Sequence, residues 1–167
     1  DVPVPCNRIP LKHDWPSWWA KIEMFAPRII TEPTLYLDLD TVIVGKVDIL
    51  RTGIDFAMLQ SFWTPDMVGS GLMYFSGDNV PTHIYDKFAK QPKAYIAHHE
   101  RNAKGTYVGD QAFVWDAMMH DVPRINDYLP GIKSYKFHCT KQLPADASIV
   151  CFHGRPRITE LDHDWIK

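Results

Sequence analysis

The sequence predicts an α/β fold, a mixed sheet flanked by helices, and three observations predict it. Short apolar runs at residues 34–38 and 148–152 have the length of buried strands and end in polar residues. Stretches with helical spacing, at residues 18–25 and 112–118, are bounded by capping residues and prolines. The two kinds of segment alternate along the chain instead of separating into blocks, which is the pattern of helices packed on a sheet.

Taken from the N-terminus, His13-Asp14-Trp15-Pro16 marks the start of a helix, with Asp14 able to cap free backbone N–H groups and Pro16 tolerated in the first turn. Trp18, Trp19, Ile22 and Phe25 follow at helical spacing on one side, and Pro27 stops the pattern, so this helix faces the core. Residues 34–38 (TLYLD) read as a strand ending in acid, and Val42-Ile43-Val44 begins another, so two strands flank an acidic hinge. Residues 54–59 and 71–75 are further strands, and residues 81–90 are charged and periodic enough for a surface helix. Asp110 is placed to cap a helix carrying Ala112, Phe113, Ala117 and Met118 that ends before Pro123. Residues 148–152 (SIVCF) form the last strand, which runs out at His153-Gly154.

The 167 residues, 46% of them hydrophobic, suffice for one core, and a single domain over residues 1–167 is expected. Thirteen prolines and nine glycines are spread along the chain without forming a linker. A net charge of -2, with no basic run to offset it, gives no attraction for nucleic acid or an anionic membrane. The three cysteines lack paired or zinc-binding spacing, which fits a reducing compartment. No run has the length and purity of a transmembrane helix, so a cytoplasmic location is expected.

In open α/β sheets ligands collect beyond the carboxyl ends of strands, and two strand ends here carry chemistry. The first is Asp38-Leu39-Asp40. Residues i and i+2 of an extended chain point the same way, so both carboxylates can meet one hard divalent cation, Mg²⁺ or Mn²⁺, which would bridge to substrate phosphates. The second is His153-Gly154-Arg155-Pro156-Arg157. There His153 can add a nitrogen ligand, favouring Mn²⁺; Gly154 permits close backbone approach; and Arg155 or Arg157 can neutralise a diphosphate.

The order of apolar strand, DxD, then a late His-Gly-basic segment resembles glycosyltransferases of the GT-A fold, especially the family containing glycogenin and bacterial lipopolysaccharide galactosyltransferases. The resemblance covers roughly residues 15–157 and rests on motifs and their order. It implies a Rossmann-like mixed sheet, and a metal held by Asp38, Asp40 and His153 against the diphosphate of a nucleotide-sugar donor, with Asp38 also on the ribose. It implies as well that Lys21 contacts the donor, that Ser70 and Gly71 lie beside the donor sugar, and that Asp110 and Gln111 face its reactive carbon. The sequence departs from the family by compressing the glycine and basic residues after the histidine. Too little chain precedes the DxD for the initial βαβ segment that binds the base, so that segment is expected to be missing.

The expected activity is transfer of a sugar from a nucleotide diphosphate sugar to a hydroxyl acceptor, the acceptor being a glycan, a lipid-linked sugar or a protein. Stabilising charge on the departing diphosphate is then the main catalytic device. Two other readings compete. Residues 35–42 also fit the opening motif of haloacid-dehalogenase-type phosphatases, with Asp38 as nucleophile and Asp40 as general acid/base, although no later acidic metal motif follows. A non-catalytic carbohydrate-binding domain derived from a transferase is the third, since six tryptophans and seven tyrosines offer stacking surfaces.

Overall fold

In the computed structural model, which describes residues 6–48, 53–105 and 107–166, the tryptophan-rich segment winds as a 3₁₀ helix over Ser17–Phe25. About three residues per turn put positions i, i+3 and i+6 in line. Trp19, Ile22 and Phe25 therefore form one continuous stripe and are all buried. The next stripe, Trp18 and Lys21, faces the cleft described below. On the third, the buried Glu23 accepts the backbone N–H groups of Lys12 and His13 at 2.6 and 2.8 Å. The cap expected from Asp14 is not made. Pro16 holds the cap position in extended conformation, leaving Asp14 outside the helix, and Glu23 fixes the approach of the chain instead.

Among the described residues the strands form two three-stranded sheets. In the first, β1 (Thr34–Leu37) and β3 (Phe56–Gln60) both pair antiparallel with the central β4 (Val68–Phe75). In the second, β2 (Thr41–Ile43) pairs antiparallel and β5 (Ile132–Ser134) parallel with the central β6 (Ile149–Cys151). The protein is thus mixed α/β with two small, mostly antiparallel sheets, whereas the sequence predicts one mixed sheet. The acidic hinge is the reason. The Asp38 N–H still donates to Gly71 O of the first sheet at 2.9 Å, while Asp40 O accepts the Phe152 N–H of the second at 3.0 Å, so the chain changes partners within the hinge. So short a link cannot make the crossover that would let β1 and β2 run parallel as neighbours.

β4 starts earlier than expected, because the small residues Gly69, Ser70 and Gly71 belong to the strand and not to a turn before it. The strand runs between Asp38 and Leu59, and a Cβ on Gly71 would stand in contact with Asp38 Oδ2 at 3.4 Å. Helices α1 (His83–Lys90), α2 (Pro92–Arg101) and α3 (Gly109–Ala117) cover one side of the first sheet. Between them and the sheet lies an aromatic core in which Trp19 stacks on Phe88 at 5.2 Å and Phe25, Phe56 and Phe75 pack mutually. A second core, including Leu59, Leu72, Ile132, Ile149 and Cys151, joins the two sheets. No helix among the described residues is long and apolar enough to cross a membrane.

Candidate functional site

Where the two sheets meet at the hinge, a cleft of ≈ 290 Å³ opens beside the 3₁₀ helix and the N-terminus of α3. Asp38 leaves β1 at its edge. Its Oδ2 accepts from Lys21 Nζ at 2.8 Å and its Oδ1 from the Tyr36 hydroxyl at 2.5 Å. Tyr36 and Asp38 share a side of the chain because they stand two residues apart. Lys21 Nζ also reaches Ser70 Oγ at 3.3 Å and Ser70 O at 3.4 Å, so one ammonium ties the helix to both hinge and strand. Burial, then the bond to Asp38, drives the Tyr36 pKa far above the usual phenol range, keeping the hydroxyl a donor. Leu39 points the other way and is fully exposed, while Asp40 returns to the cleft, its Oδ2 accepting the Gly154 N–H at 3.3 Å.

Asp110 closes the cleft from α3 and is only 4% exposed. It is not the cap that the sequence suggests: Val108 holds that position and Asp110 lies inside the first turn. The shift follows from Gly109. Its φ of +67° is readily available only to glycine, and a Cβ there would stand 2.4 Å from Trp18 Nε1, so the backbone lies directly against the indole. Burial raises the Asp110 pKa to about 6, against the lowering effects of Lys21, of a hydrogen bond with the Ser70 side chain and of the Gln111 backbone. Gln111 Oε1 accepts the Ser70 N–H at 3.4 Å.

His153 follows β6 with φ of +54°, a left-handed conformation uncommon for a side chain of this size. That turn aims the ring at Phe62, edge to face at 5.0 Å, on the cleft wall. Its Nε2 is buried and has no hydrogen-bond partner among the described residues. Burial lowers the His153 pKa, opposed by Asp40, so the ring stays neutral with a lone pair to offer. The neighbouring Cys151 thiol is pushed up to about 12 by burial and is inert as a nucleophile near neutral pH.

Two carboxylates and a neutral imidazole on one cleft suit Mn²⁺ or Mg²⁺ in chemical kind, and the unpartnered Nε2 is the observation that favours a bound ion. Among the described residues, however, no three His, Cys, Asp or Glu side chains are gathered closely enough to hold an ion, and Lys21 and Tyr36 engage both oxygens of Asp38. The cleft therefore carries side chains of the chemical kind that binds such an ion, but they are not gathered as a metal centre.

Lys21, Asp38, Asp40, Ser70, Gly71, Asp110, Gln111 and His153 all line this one cleft. Gly154 bonds to Asp40 but does not line the cleft, and neither do the arginines expected to meet a diphosphate there. Arg155 is turned outward and pairs with Glu160 at 2.7 Å. Arg157 lines a separate open groove of ≈ 740 Å³ on the other side of the hinge, with Tyr36 to Asp40. The sequence argument missed Tyr36, Trp18, Phe62 and Trp63. Only Tyr36 was recoverable in advance, from its position two residues before Asp38 on the same strand.

No protein-family model and no curated protein matches the chain.

Proposed function

We propose that the protein is a metal-dependent glycosyltransferase that moves a sugar from a nucleotide diphosphate sugar to a hydroxyl acceptor, with the two sheets serving as the core of a GT-A arrangement. The observation that carries this reading is convergence. Residues from the 3₁₀ helix, the hinge, β4, the start of α3 and the end of β6 line one cleft that holds paired carboxylates, a half-buried ammonium and an imidazole nitrogen unpartnered among the described residues. A structural role alone needs no such gathering of costly polar groups.

In the reaction the anomeric C–O bond to the diphosphate breaks, the acceptor oxygen forms the new bond, and the acceptor proton leaves with the released diphosphate. Negative charge gathers on the departing phosphate. Lys21 is the cation within the cleft placed to meet it, and Asp38 and Tyr36 fix the position of that ammonium. Asp38, Asp40 and His153 would hold Mn²⁺ or Mg²⁺, which when bound supplies Lewis-acid stabilisation of the same charge. Asp110 and Gln111, with Ser70 between them and Lys21, are placed to accept and donate hydrogen bonds to sugar hydroxyls, and the Asp110 pKa of about 6 lets its carboxylate exchange a proton near neutrality. A cytoplasmic setting accords with three free cysteines, one exposed and two buried.

Thermal-shift titration of Mn²⁺ with UDP, GDP and CMP tests the proposal. A ligand at about 100 times its Kd adds about 2.7 kcal/mol of stability. One metal–nucleotide pair should raise Tm, and Asp40→Asn should abolish the rise. A folded protein that shifts with none of the pairs refutes the transferase reading.

A further inference from the structure

Trp63 and Phe137 are large aromatic side chains left 58% and 48% exposed, yet they are ordered against each other, edge to face at 4.7 Å. The Lys136 ammonium stands 5.9 Å from the Trp63 ring centre and donates to His153 O at 2.8 Å, which ties this pair to the cleft wall. Two aromatic rings held together at the surface offer a face on which a partner can stack. Beside it lies a hollow of ≈ 390 Å³, within the range of small-molecule sites, lined by Gln60, Ser61, Phe62, Asn126, Phe137 and His138 among others.

We propose that this hollow is a subsite for a neutral saccharide, and that the hydroxyl acceptor is therefore a glycan; the acceptor role rests on the transferase reading above, the saccharide site does not. A pyranose has an apolar C–H face and a rim of hydroxyls that each donate and accept. Aromatic rings, negative on their faces, receive the first. Gln60, Asn126 and Ser61 match the second: Gln60 Nε2 donates to Pro65 O, Asn126 Oδ1 accepts the Gln60 N–H and Ser61 Oγ accepts the Thr64 N–H, which fixes the three side chains and directs Gln60 Oε1, Asn126 Nδ2 and the Ser61 O–H to a ligand. His138 accepts the Ser134 N–H through Nδ1, which leaves Nε2 as the N–H position of its neutral ring. No carboxylate, ammonium or guanidinium occurs among the described residues lining the hollow, which favours an uncharged ligand. The hollow also adjoins the cleft. Ser61 and Phe62 line both spaces, and the Phe62 ring meets His138 at 5.9 Å on one side and His153 at 5.0 Å on the other. A saccharide held on Phe137 thus lies one side chain away from the candidate donor site, and its hydroxyl oxygen would form the new glycosidic bond.

Saturation-transfer NMR with cellobiose, maltose and chitobiose, without nucleotide or metal, tests the site directly. At least one disaccharide should bind the wild type in the millimolar range. Phe137→Ala should weaken it about tenfold, and Phe137→Tyr, which keeps the ring, should hold it to within about twofold. Absence of binding by all three sugars, or equal affinity in Phe137→Ala, overturns the proposal. So does partition onto phosphatidylcholine–phosphatidylglycerol vesicles that depends on Phe137 while no sugar binds, because the aromatic pair is then a membrane contact. Nucleotide-dependent stabilisation of the wild type separates the two readings: sugar binding without it keeps the saccharide site and removes the acceptor role, whereas stabilisation without sugar binding keeps the transferase and removes the subsite.

Discussion

Replacing Asp110 by asparagine keeps the shape of a buried side chain and deletes its charge, and the consequence for stability has a defined sign. The carboxyl titrates at about 6 in the folded protein against an ordinary value of 3.8. Between those values the native state binds more protons than the unfolded chain, so Asp110 makes stability fall as pH rises. Its favourable contribution is complete below about pH 4 and gone above about pH 6. A displacement of about two pKa units, at 1.36 kcal/mol each, amounts to about 3 kcal/mol. Asparagine does not titrate. The stability of Asp110→Asn minus that of the wild type should therefore climb by about 2 kcal/mol from pH 4 to pH 6.5, out of about 3 kcal/mol over the whole titration, and level off above about pH 7. Urea denaturation of both proteins at half-unit pH intervals measures it, and subtraction removes every group the two share. A difference that is flat across this window, or falls, refutes the claim that burial of Asp110 is an unrelieved cost in the folded protein. A variant that is more stable at pH 7.5 while losing the proposed sugar transfer would show why such a residue stands in a position so unfavourable to the fold.

Two further outcomes follow from the same geometry. Gly109→Ala forces a left-handed φ on alanine and drives its methyl into the Trp18 indole; a loss of about 2 kcal/mol or more is expected in urea denaturation, and an unchanged midpoint contradicts the close approach. Tyr36→Phe removes a hydrogen bond to the charged Asp38, and thermal unfolding at pH 7 should report a loss of about 1–3 kcal/mol, whereas no loss would mean that water replaces the hydroxyl freely.

Those residues differ in how plainly the sequence announces them. The strands at Thr34–Leu37 and Ile149–Cys151 and the helix at His83–Lys90 were legible because each carries a clear apolar period with punctuation at its ends. Helix α2 was not: its only buried residue is His99, so no apolar stripe exists to read, and Pro92 at its first turn was the one available signal. Strand β5 is three residues long, too short to alternate, and owes its pairing to β6. The 3₁₀ winding escaped notice because Trp19, Ile22 and Phe25 satisfy both a period of 3 and the i, i+3 half of an α-helical period. The grouping of Asp38, Asp40 and His153 on one cleft was anticipated from strand ends. Arg155 was not placed well, because a long side chain that finds Glu160 nearby follows local charge more than the position of its backbone.

The hinge between β1 and β2 has a mechanical meaning. Asp38 is hydrogen-bonded into one sheet and Asp40 into the other, so the gap between their carboxylates is a gauge of how closely the sheets are packed. The apolar residues clamped between the sheets, Leu59, Leu72 and Ile149 among them, then act as shims. Changing their bulk would retune the spacing of the two acids, so the width of the cleft at the hinge is set from its hydrophobic foundations.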